Sequence, residues 1–240
     1  MSTVAALQAR DLVLGYGDAE IVQGVTLEAI AGQMTAIVGP NGSGKSTLLK
    51  GLAGLLPARR GQLLFGGANV SGVETAQLVR RGLGYVPQVK NVFPSLTVRE
   101  NLEVGAATCR RSFRGRMGAV LELFPDLSTA GRKPAGLLSG GQRNMLALAR
   151  ALMTAPTLLL VDEPTAGLSP LYSAAVWTHL TQVVGSGVGV VIVEQNTRAA
   201  LQAADRAYLL VNGRVLFEGA GQELAADEQL ASSYLGGQVR

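Results

Sequence analysis

The feature that most constrains this chain is the glycine-rich segment at residues 39–46. It reads Gly-Pro-Asn-Gly-Ser-Gly-Lys-Ser and directly follows the apolar run Met34–Val38. The spacing matches the phosphate loop G-x-x-x-x-G-K-[ST], in which backbone N–H groups and the start of a helix bind phosphate. Such a loop needs a buried strand before it and a helix after it. We therefore predict a strand at Met34–Val38 and a helix over residues 44–52.

The phosphate-loop motif also assigns roles to individual residues. Lys45 is expected to reach the β- and γ-phosphates of a nucleotide, and Ser46 is expected to ligate Mg²⁺. The alternative is a glycine-rich loop that matches by chance, which the flanking strand and helix patterns disfavour. We therefore predict ATP and Mg²⁺ as ligands. The candidate ATP-binding residues of the loop are Gly39, Pro40, Asn41, Gly42, Ser43, Gly44, Lys45, Ser46 and Thr47.

A second motif is an apolar run that ends in two acids. Residues 157–163 read Thr-Leu-Leu-Leu-Val-Asp-Glu, which predicts a buried strand that ends at Asp162 and Glu163. In α/β sheets this end of a strand faces the crevice where ligands bind. Asp162 would hold Mg²⁺ directly or through water, and Glu163 would orient or deprotonate the attacking water. Alone, the pair is more typical of a turn or helix start, but the phosphate loop favours the functional interpretation.

A third motif, Leu-Ser-Gly-Gly-Gln at residues 138–142, opens a predicted helix. Its candidate residues would present a second anion-binding surface at the helix start. One ATP needs only one phosphate loop, so the second surface suggests contact with a nucleotide held by another subunit. The alternative is an ordinary serine cap followed by flexible glycines. The candidate residues are Ser139, Gly140, Gly141 and Gln142.

Strand and helix patterns alternate along the chain, which predicts an α/β fold with a mostly parallel sheet. The region from about residue 88 to residue 139 differs because its patterns are helical. Thr97 and Glu100 form a capping-box pattern that predicts a helix start. A helical stretch over residues 113–124 is expected to stop at Pro125. We therefore predict an inserted helical lobe.

The composition excludes several classes of protein. Of 240 residues, 48% are hydrophobic and 16% are charged, which rules out a disordered or fibrous chain. No apolar run approaches the ~20 residues that span a bilayer, and residues 1–10 do not resemble a signal peptide. The single cysteine, Cys109, cannot form an internal disulfide and favours a reducing compartment. The net charge of +4 does not choose between nucleotide, nucleic acid and a membrane surface as partner.

The order of phosphate loop, Leu-Ser-Gly-Gly-Gln and acidic strand end resembles the ATP-binding cassette family over nearly the whole chain. The resemblance implies one ATP-binding domain over residues 1–240. Its core, about residues 1–87 and 140–240, would contain a RecA-like sheet and an antiparallel β-subdomain. Residues 88–139 would form a helical subdomain. The resemblance further implies that Tyr16 stacks on adenine and that Gln88 meets Mg²⁺ and the attacking water.

The same resemblance implies partners. In a head-to-tail dimer, the Leu-Ser-Gly-Gly-Gln segment of one chain would close over the γ-phosphate held by Lys45 of the other. The second ATPase subunit would be the same chain or a paralogue. The helical lobe would contact integral membrane permease subunits. These contacts would place the chain in the cytoplasm, on the inner face of the cell membrane.

Two positions depart from the family pattern. The family commonly has histidine after the strand that follows the acidic pair, whereas this chain has Gln195, which could donate a hydrogen bond to the γ-phosphate without carrying charge. The family usually has aspartate after Ala-Gly-Leu, whereas this chain has Ser169. The only histidine, His179, is expected to be a helix-surface or packing residue. The candidate catalytic residues are thus Glu163, Gln195 and Gln88, and the candidate Mg²⁺ ligands are Ser46, Gln88 and Asp162.

Four further segments, residues 92–102, 166–170, 193–196 and 234–237, are similar to the ATPase subunit of branched-chain amino-acid importers. That group implies a periplasmic or lipid-anchored solute-binding protein as an indirect partner, and no nucleic acid. Importers of urea and short amides share much of the pattern and remain an alternative.

Two other functions compete with an importer subunit. A soluble cassette ATPase that acts on nucleic acid or the ribosome is compatible with the basic charge, although such proteins usually have two cassettes or long insertions. A regulator that binds nucleotide without hydrolysing it is disfavoured, since Lys45 and Glu163 are both present.

Overall fold

The computed structural model describes residues 5–107 and 113–234. Cys109 and residues 235–237, on which two of the sequence expectations depend, lie outside the described residues. The described strands are β1 (Ala5–Tyr16), β2 (Ala19–Ile30), β3 (Met34–Val38), β4 (Arg60–Phe65), β5 (Ala68–Asn69), β6 (Leu83–Val86), β7 (Leu158–Asp162), β8 (Gly189–Val193), β9 (Arg206–Val211) and β10 (Arg214–Gly219).

The helices begin and end close to the positions that their capping residues indicate. Thr97 and Ser139 were both expected at helix starts, and each caps its helix through a capping box. A 3-10 turn, Ala135–Leu137, precedes the second of these helices. The described α-helices are α1 (Lys45–Leu52), α2 (Thr75–Arg80), α3 (Val98–Gly105), α4 (Phe113–Leu123), α5 (Pro125–Thr129), α6 (Gly140–Leu152), α7 (Pro170–Gly185), α8 (Thr197–Ala203), α9 (Gly221–Ala226) and α10 (Glu228–Tyr234).

The larger of the two sheets positions the candidate site. Its strand order is β10-β9-β3-β8-β7-β6, and all pairs are parallel except β10 with β9. Every residue of β3, β7 and β8 is buried. Successive residues of β3 alternate between two hydrophobic clusters, with Ala36 and Val38 in one and Ile37 in the other. Because both faces are covered, these strands have continuous apolar sequences.

The smaller sheet is antiparallel, with the order β2-β1-β4-β5. In its first hairpin, Tyr16 pairs with Ala19 and only Gly17 and Asp18 form the turn. Leucine and valine side chains of this sheet pack with α1 against one face of the larger sheet. On the opposite face lie α6, α7 and α8, together with residues of α3, α4 and α5.

Several elements differ from the sequence expectation. Pro125 does not simply end the helical stretch, because α4 ends at Leu123 and Pro125 begins α5. Proline is well tolerated there, because the N–H of the first residue in a helix has no acceptor within the helix. The short elements β5, α2 and α8 were not predicted. Neither was β10, although Asn212 and Gly213 both have positive φ and form the two-residue turn of the β9–β10 hairpin.

This architecture confirms the predicted α/β class, with a mostly parallel core sheet, an antiparallel β-sheet and helices between β6 and α6. The assignment of residues 88–139 as a separate subdomain stays a prediction. Over residues 5–107 and 113–234, the structure contains no helix that is both long enough and apolar enough to cross a membrane.

Candidate nucleotide-binding site

The predicted site residues meet at the carboxyl edge of the larger sheet. The strands β3, β8, β7 and β6 are neighbours and parallel, so the segments that follow them emerge on the same side. Those segments contain the phosphate loop, Gln195, the Asp162–Glu163 pair and Gln88. Ligands of α/β folds bind at this edge. The topology therefore brings together the ends of four segments that are distant in the sequence.

The phosphate loop has a backbone that depends on glycine at two positions. Gly39 has φ 149°, and a Cβ atom there would lie 2.0 Å from the carbonyl oxygen of Leu210. Gly44 has φ 102° and precedes α1 without a side-chain cap. The first N–H groups of a helix have no intrahelical partner. Those of α1 can therefore be offered to an anion at the loop.

Lys45 lies on the inner side of this loop. It is buried, and its Nζ atom donates hydrogen bonds to the carbonyl oxygens of Gly39 at 2.8 Å and Pro40 at 2.9 Å. Burial lowers the pKa of the Lys45 ammonium below its ordinary value, while the nearby carboxylates of Glu163 and Asp162 oppose that shift. A phosphate bound at the loop would place a negative charge beside the buried Lys45 ammonium and stabilise its charged form.

Ser43 provides a test of whether the loop fits a phosphate. Its Oγ atom is buried and has no hydrogen-bond partner among the described residues. Leaving a buried hydroxyl unpaired costs about 1–3 kcal/mol. A phosphate oxygen would accept this hydrogen bond, so the unpaired hydroxyl, the glycine backbone and Lys45 together suit a phosphate-bearing ligand.

Ser46 and Asp162 form a pair of oxygen donors beside the loop. The Ser46 hydroxyl donates a hydrogen bond to Oδ1 of Asp162 at 3.1 Å. Burial raises the pKa of Asp162 above its ordinary value; the Ser46 hydrogen bond opposes the shift, and the Glu163 carboxylate adds to it. Hydroxyl and carboxylate oxygens are ligands that Mg²⁺ prefers, with phosphate and water completing the coordination. Residues 5–107 and 113–234 contain no group of three or more His, Cys, Asp or Glu arranged to hold a metal.

Glu163 is held by two glutamines from different loops. Gln88 and Gln195 each donate a hydrogen bond from Nε2 to the same oxygen, Oε2 of Glu163, at 2.6 Å and 2.7 Å. Glu163 is buried and has φ 45°, a left-handed conformation that costs a non-glycine residue about 1–3 kcal/mol. Its N–H donates to the carbonyl oxygen of Val193 on the neighbouring strand at 2.9 Å. The three predicted catalytic side chains therefore form one cluster.

Tyr16 lies at the rim of the same site. Its side chain is 50% exposed, which leaves a ring face available for stacking. A cleft of about 270 Å³ is lined by Tyr16, Glu163, Ile21 and the loop residues Asn41, Gly42, Gly44, Lys45, Ser46 and Thr47. The structure thus places the predicted adenine-stacking residue, the phosphate loop and one catalytic candidate around a single opening.

The Leu-Ser-Gly-Gly-Gln segment lies elsewhere in the chain and is not among the residues that line this cleft. Ser139 Oγ accepts a hydrogen bond from the Gln142 N–H at 3.2 Å, and Gln142 Oε1 accepts one from the Ser139 N–H at 3.1 Å. Gly141 packs closely against Tyr172, because a Cβ atom there would lie 2.4 Å from the tyrosine ring. Within one chain, the segment is a capped helix start with its serine exposed.

The two departures from the family pattern have different surroundings. Gln195 belongs to the Glu163 cluster, whereas Ser169 lies just before α7 and makes no side-chain capping hydrogen bond. His179 packs its ring against Phe124, with 4.5 Å between ring centroids, and its Nδ1 lies 3.3 Å from Oε1 of Gln182. It is a packing residue of α7, as expected from the sequence.

Two polar residues that the sequence analysis did not single out connect the loops of the site. Glu194 is buried beside Gln195 and binds Thr165. Asn144, on α6, accepts a hydrogen bond from Asn91 at 2.8 Å and donates one to the carbonyl oxygen of Pro164 at 2.7 Å. The signal for Glu194 was present, since it directly follows an apolar strand as Glu163 does. Asn144 had none, because its partners are distant in the sequence.

The fold and the cleft define a phosphate-loop ATPase of the cassette type. The sequence profile described as "ABC transporter" matches residues 22–166. The chain therefore belongs to the ABC transporter family, and it is the ATP-hydrolysing subunit of a transporter.

Named relatives match almost the whole chain. It is 40% identical to the high-affinity branched-chain amino acid transport ATP-binding protein BraG of Pseudomonas aeruginosa, over 92% of this chain and 96% of that protein. It is 39% identical to the probable branched-chain amino acid transport ATP-binding protein LivF of Archaeoglobus fulgidus, over 92% of this chain and 95% of that protein. The lipopolysaccharide export system ATP-binding protein LptB of Haemophilus influenzae is 31% identical, over 99% of this chain and 100% of that protein.

Solved structures agree with this assignment. The ADP conformation of the ATP-binding cassette MJ1267 superposes with a TM-score of 0.87 at 28% identity, covering 96% of this chain and 98% of that one. The dimeric post-hydrolysis state of the cassette MJ0796, bound to ADP and phosphate, gives a TM-score of 0.78 at 25% identity, covering 89% of this chain and 98% of that one.

Proposed function

We propose that this chain hydrolyses ATP to power an importer of branched-chain amino acids. The observation that carries the substrate class is the pair of relatives with that printed role, which match the chain almost from end to end and at higher identity than the lipopolysaccharide-export relative. The solute itself would meet the membrane and solute-binding subunits. The chemistry of this chain is therefore the same for any solute.

The phosphate loop and its neighbours would bind the nucleotide. The α1 N–H groups, the Ser43 hydroxyl and Lys45 would hold the phosphates, and Tyr16 would stack on the adenine. Ser46, Asp162 and Gln88 would hold Mg²⁺, whose charge would offset that of the β- and γ-phosphates. Support comes from the buried unpaired hydroxyl of Ser43 and from the oxygen pair of Ser46 and Asp162.

Glu163 would act on the attacking water. Its carboxylate can accept the water proton or polarise the water, and a positioned general base typically contributes about 10²–10⁴ in rate. Gln88 and Gln195 would fix the orientation of this carboxylate, because both donate to Oε2. In the nucleotide complex, Gln195 would also reach the γ-phosphate with its amide N–H. The amide NH₂ has two N–H donors, so one can reach the phosphate while the other stays on Glu163.

A second subunit would complete the site. Ser139 is exposed, and its oxygen accepts a hydrogen bond from Gln142, so its own O–H remains available to donate to an anion. In a head-to-tail dimer this hydroxyl, with Gly140 and Gly141, would close over the γ-phosphate of the partner subunit. The similarity to a dimeric post-hydrolysis cassette supports this arrangement.

The permease would contact the region after Gln88. Val89 is 68% exposed and Leu137 is 67% exposed, so both apolar side chains are available to a partner surface. Contact there would hold the chain on the cytoplasmic face of the membrane. No nucleic-acid partner is needed for this function.

Reconstitution tests this proposal. The chain would be co-expressed with candidate permease subunits and a candidate second ATPase of a branched-chain amino-acid importer, purified as a complex, and placed in proteoliposomes with the corresponding solute-binding protein. We expect ATP-dependent uptake of leucine, isoleucine or valine, and no uptake with the Lys45→Ala variant. Uptake of urea or a short amide instead would favour the alternative importer, and co-purification with ribosomes or nucleic acid instead of permease would contradict an importer.

A further inference from the structure

Glu194 is a buried carboxylate that the chemistry proposed above does not use. It is 1% exposed, directly follows β8, and is not among the residues that line the nucleotide cleft. Removing a carboxylate from water is costly unless hydrogen bonds or charges compensate for it. The contacts of Glu194 therefore indicate what its burial achieves.

Each oxygen of Glu194 binds a different loop. Oε1 accepts hydrogen bonds from the N–H of Thr165 at 2.9 Å and from its Oγ1 at 2.7 Å. Oε2 accepts a hydrogen bond from the N–H of Gln195 at 3.1 Å. Burial raises the pKa of Glu194, and these hydrogen bonds oppose the shift because they favour the charged form. The carboxylate thus joins the loop after β7 to the loop after β8.

These contacts close a ring of residues around the candidate base. Thr165 is two residues after Glu163, and Gln195 donates its side-chain hydrogen bond to Glu163. The path from Glu163 through Thr165 and Glu194 to Gln195 therefore returns to Glu163. The Glu194 carboxylate binds the backbone N–H of Gln195, from which the Gln195 side chain reaches Oε2 of Glu163.

We propose that Glu194 is a positioning residue that holds the Gln195 amide against the Glu163 carboxylate. The inference rests on the proposed function of Glu163 as general base. Glutamine cannot replace Glu194 in this role, because both loops present donors and an amide has only one oxygen. If that oxygen faces Thr165, the amide NH₂ faces the N–H of Gln195 and pushes it away.

Steady-state ATP hydrolysis by the full-length protein tests the inference. We expect Glu194→Gln to lower kcat by at least ~10-fold while the KM for ATP changes by less than ~2-fold, since the nucleotide contacts are untouched. Because Glu194 acts through Gln195, the double variant Glu194→Gln with Gln195→Ala should be no slower than Gln195→Ala alone, within ~2-fold. A merely structural role would give independent effects that multiply.

Two further variants serve as controls for this test. Glu223→Gln is the matched control, because Glu223 also accepts a backbone hydrogen bond, from Ala220 at 3.0 Å, but lies outside the cleft. It should keep the wild-type kcat. Thr165→Val keeps the side-chain shape and removes one hydrogen bond to Glu194. If Glu194→Gln fails to fold, as judged by thermal unfolding, Thr165→Val should lower kcat and show the same non-additivity with Gln195→Ala.

The outcomes separate this inference from the proposed function. Wild-type kcat in Glu194→Gln, wild-type kcat in Gln195→Ala, or effects that multiply in the double variant would each overturn the positioning role. Turnover by Glu163→Gln is measured in parallel. If Glu163→Gln is inactive while Glu194→Gln is unaffected, only the inference fails. If Glu163→Gln stays active, the general-base assignment itself fails.

Discussion

The Nε2 atom of Gln195 donates a hydrogen bond to Oε2 of Glu163 at 2.7 Å. The family commonly has histidine at the position of Gln195, and an imidazole could carry a proton between pH 5 and 8. A glutamine amide cannot. In this chain, the donor to the candidate base is therefore an amide that carries no charge in this pH range.

Replacing Gln195 with alanine should affect ATP hydrolysis more than ADP binding. The amide is expected to meet the γ-phosphate, which ADP lacks, and it also orients Glu163. We expect a lower kcat with ADP affinity close to that of the wild type, measured by steady-state turnover and by titration with a fluorescent ADP analogue. Gln182→Ala is the control, since Gln182 is exposed on α7 and pairs with His179. If kcat and ADP affinity fell by the same factor, Gln195 would not be a γ-phosphate contact.

Replacing Lys45 with alanine should weaken nucleotide binding and turnover together. The variant loses the buried ammonium that would pair with the β- and γ-phosphates. Isothermal titration with ATP and a phosphate-release assay measure the two effects. Lys133→Ala, at an exposed position in the helical region, should leave both unchanged. Wild-type affinity in Lys45→Ala would place the nucleotide elsewhere.

Replacing Asp162 with asparagine should stabilise the protein while lowering its activity. Burial raises the pKa of Asp162, so the folded state binds its proton more readily than the unfolded state, and the ionised carboxylate costs stability at neutral pH. The Ser46 hydroxyl can still donate to the amide oxygen. Without Mg²⁺ and ATP, we expect Tm to rise by ~2–4 °C for each kcal/mol gained.

The difference in stability between Asp162→Asn and the wild type should depend on pH, because the pKa of Asp162 is raised in the folded state. Below the pKa of the unfolded state, Asp162 is protonated in both states, so the advantage of the asparagine variant should vanish in acid. It should grow as the pH rises through the raised pKa of the folded state and then level off. A variant that is less stable than the wild type at neutral pH, by thermal unfolding, would contradict the assigned cost of burying Asp162.

Charged substitutions at the exposed apolar positions should uncouple transport from ATP hydrolysis. Val89→Asp and Leu137→Asp place a charge where the permease is expected to bind, and neither side chain lines the nucleotide cleft. We expect loss of co-purification with the permease and near-wild-type ATPase activity of the isolated chain. Leu216→Asp is the control, because Leu216 is 50% exposed on β10. If both variants still formed the complex, the permease would contact a different surface of the chain.

The sequence predicted the elements nearest the site best. The strand Met34–Val38 has the predicted bounds, and the helix starts at Thr97 and Ser139 were recognised. These segments have strong local signals, namely continuous apolar runs and capping boxes. Shorter elements such as Thr75–Arg80 have too few residues to show a period.

The contacts between loops could not be predicted in the same way. Nothing in the local sequence indicates that Gln88 and Gln195 meet on one oxygen of Glu163, because that depends on the order of β6, β7 and β8 in the sheet. The buried state of Glu194 likewise depends on Thr165, 29 residues earlier. For Arg214–Gly219, by contrast, the Asn212-Gly213 turn is a local hairpin signal that predicts this strand.

The turnover and ATP affinity of Glu163→Gln test the central claim most directly. The substitution keeps an oxygen that can accept the hydrogen bonds of Gln88 and Gln195, so the geometry of the cluster is retained while the carboxylate is lost. We expect kcat to fall by ~10²–10⁴, the contribution of a positioned general base. ATP affinity should persist or increase, because one negative charge near the γ-phosphate is removed. An ATP-dependent dimer should then accumulate in light scattering, with itself or with the second ATPase subunit. Turnover at the wild-type rate would contradict the role assigned to Glu163.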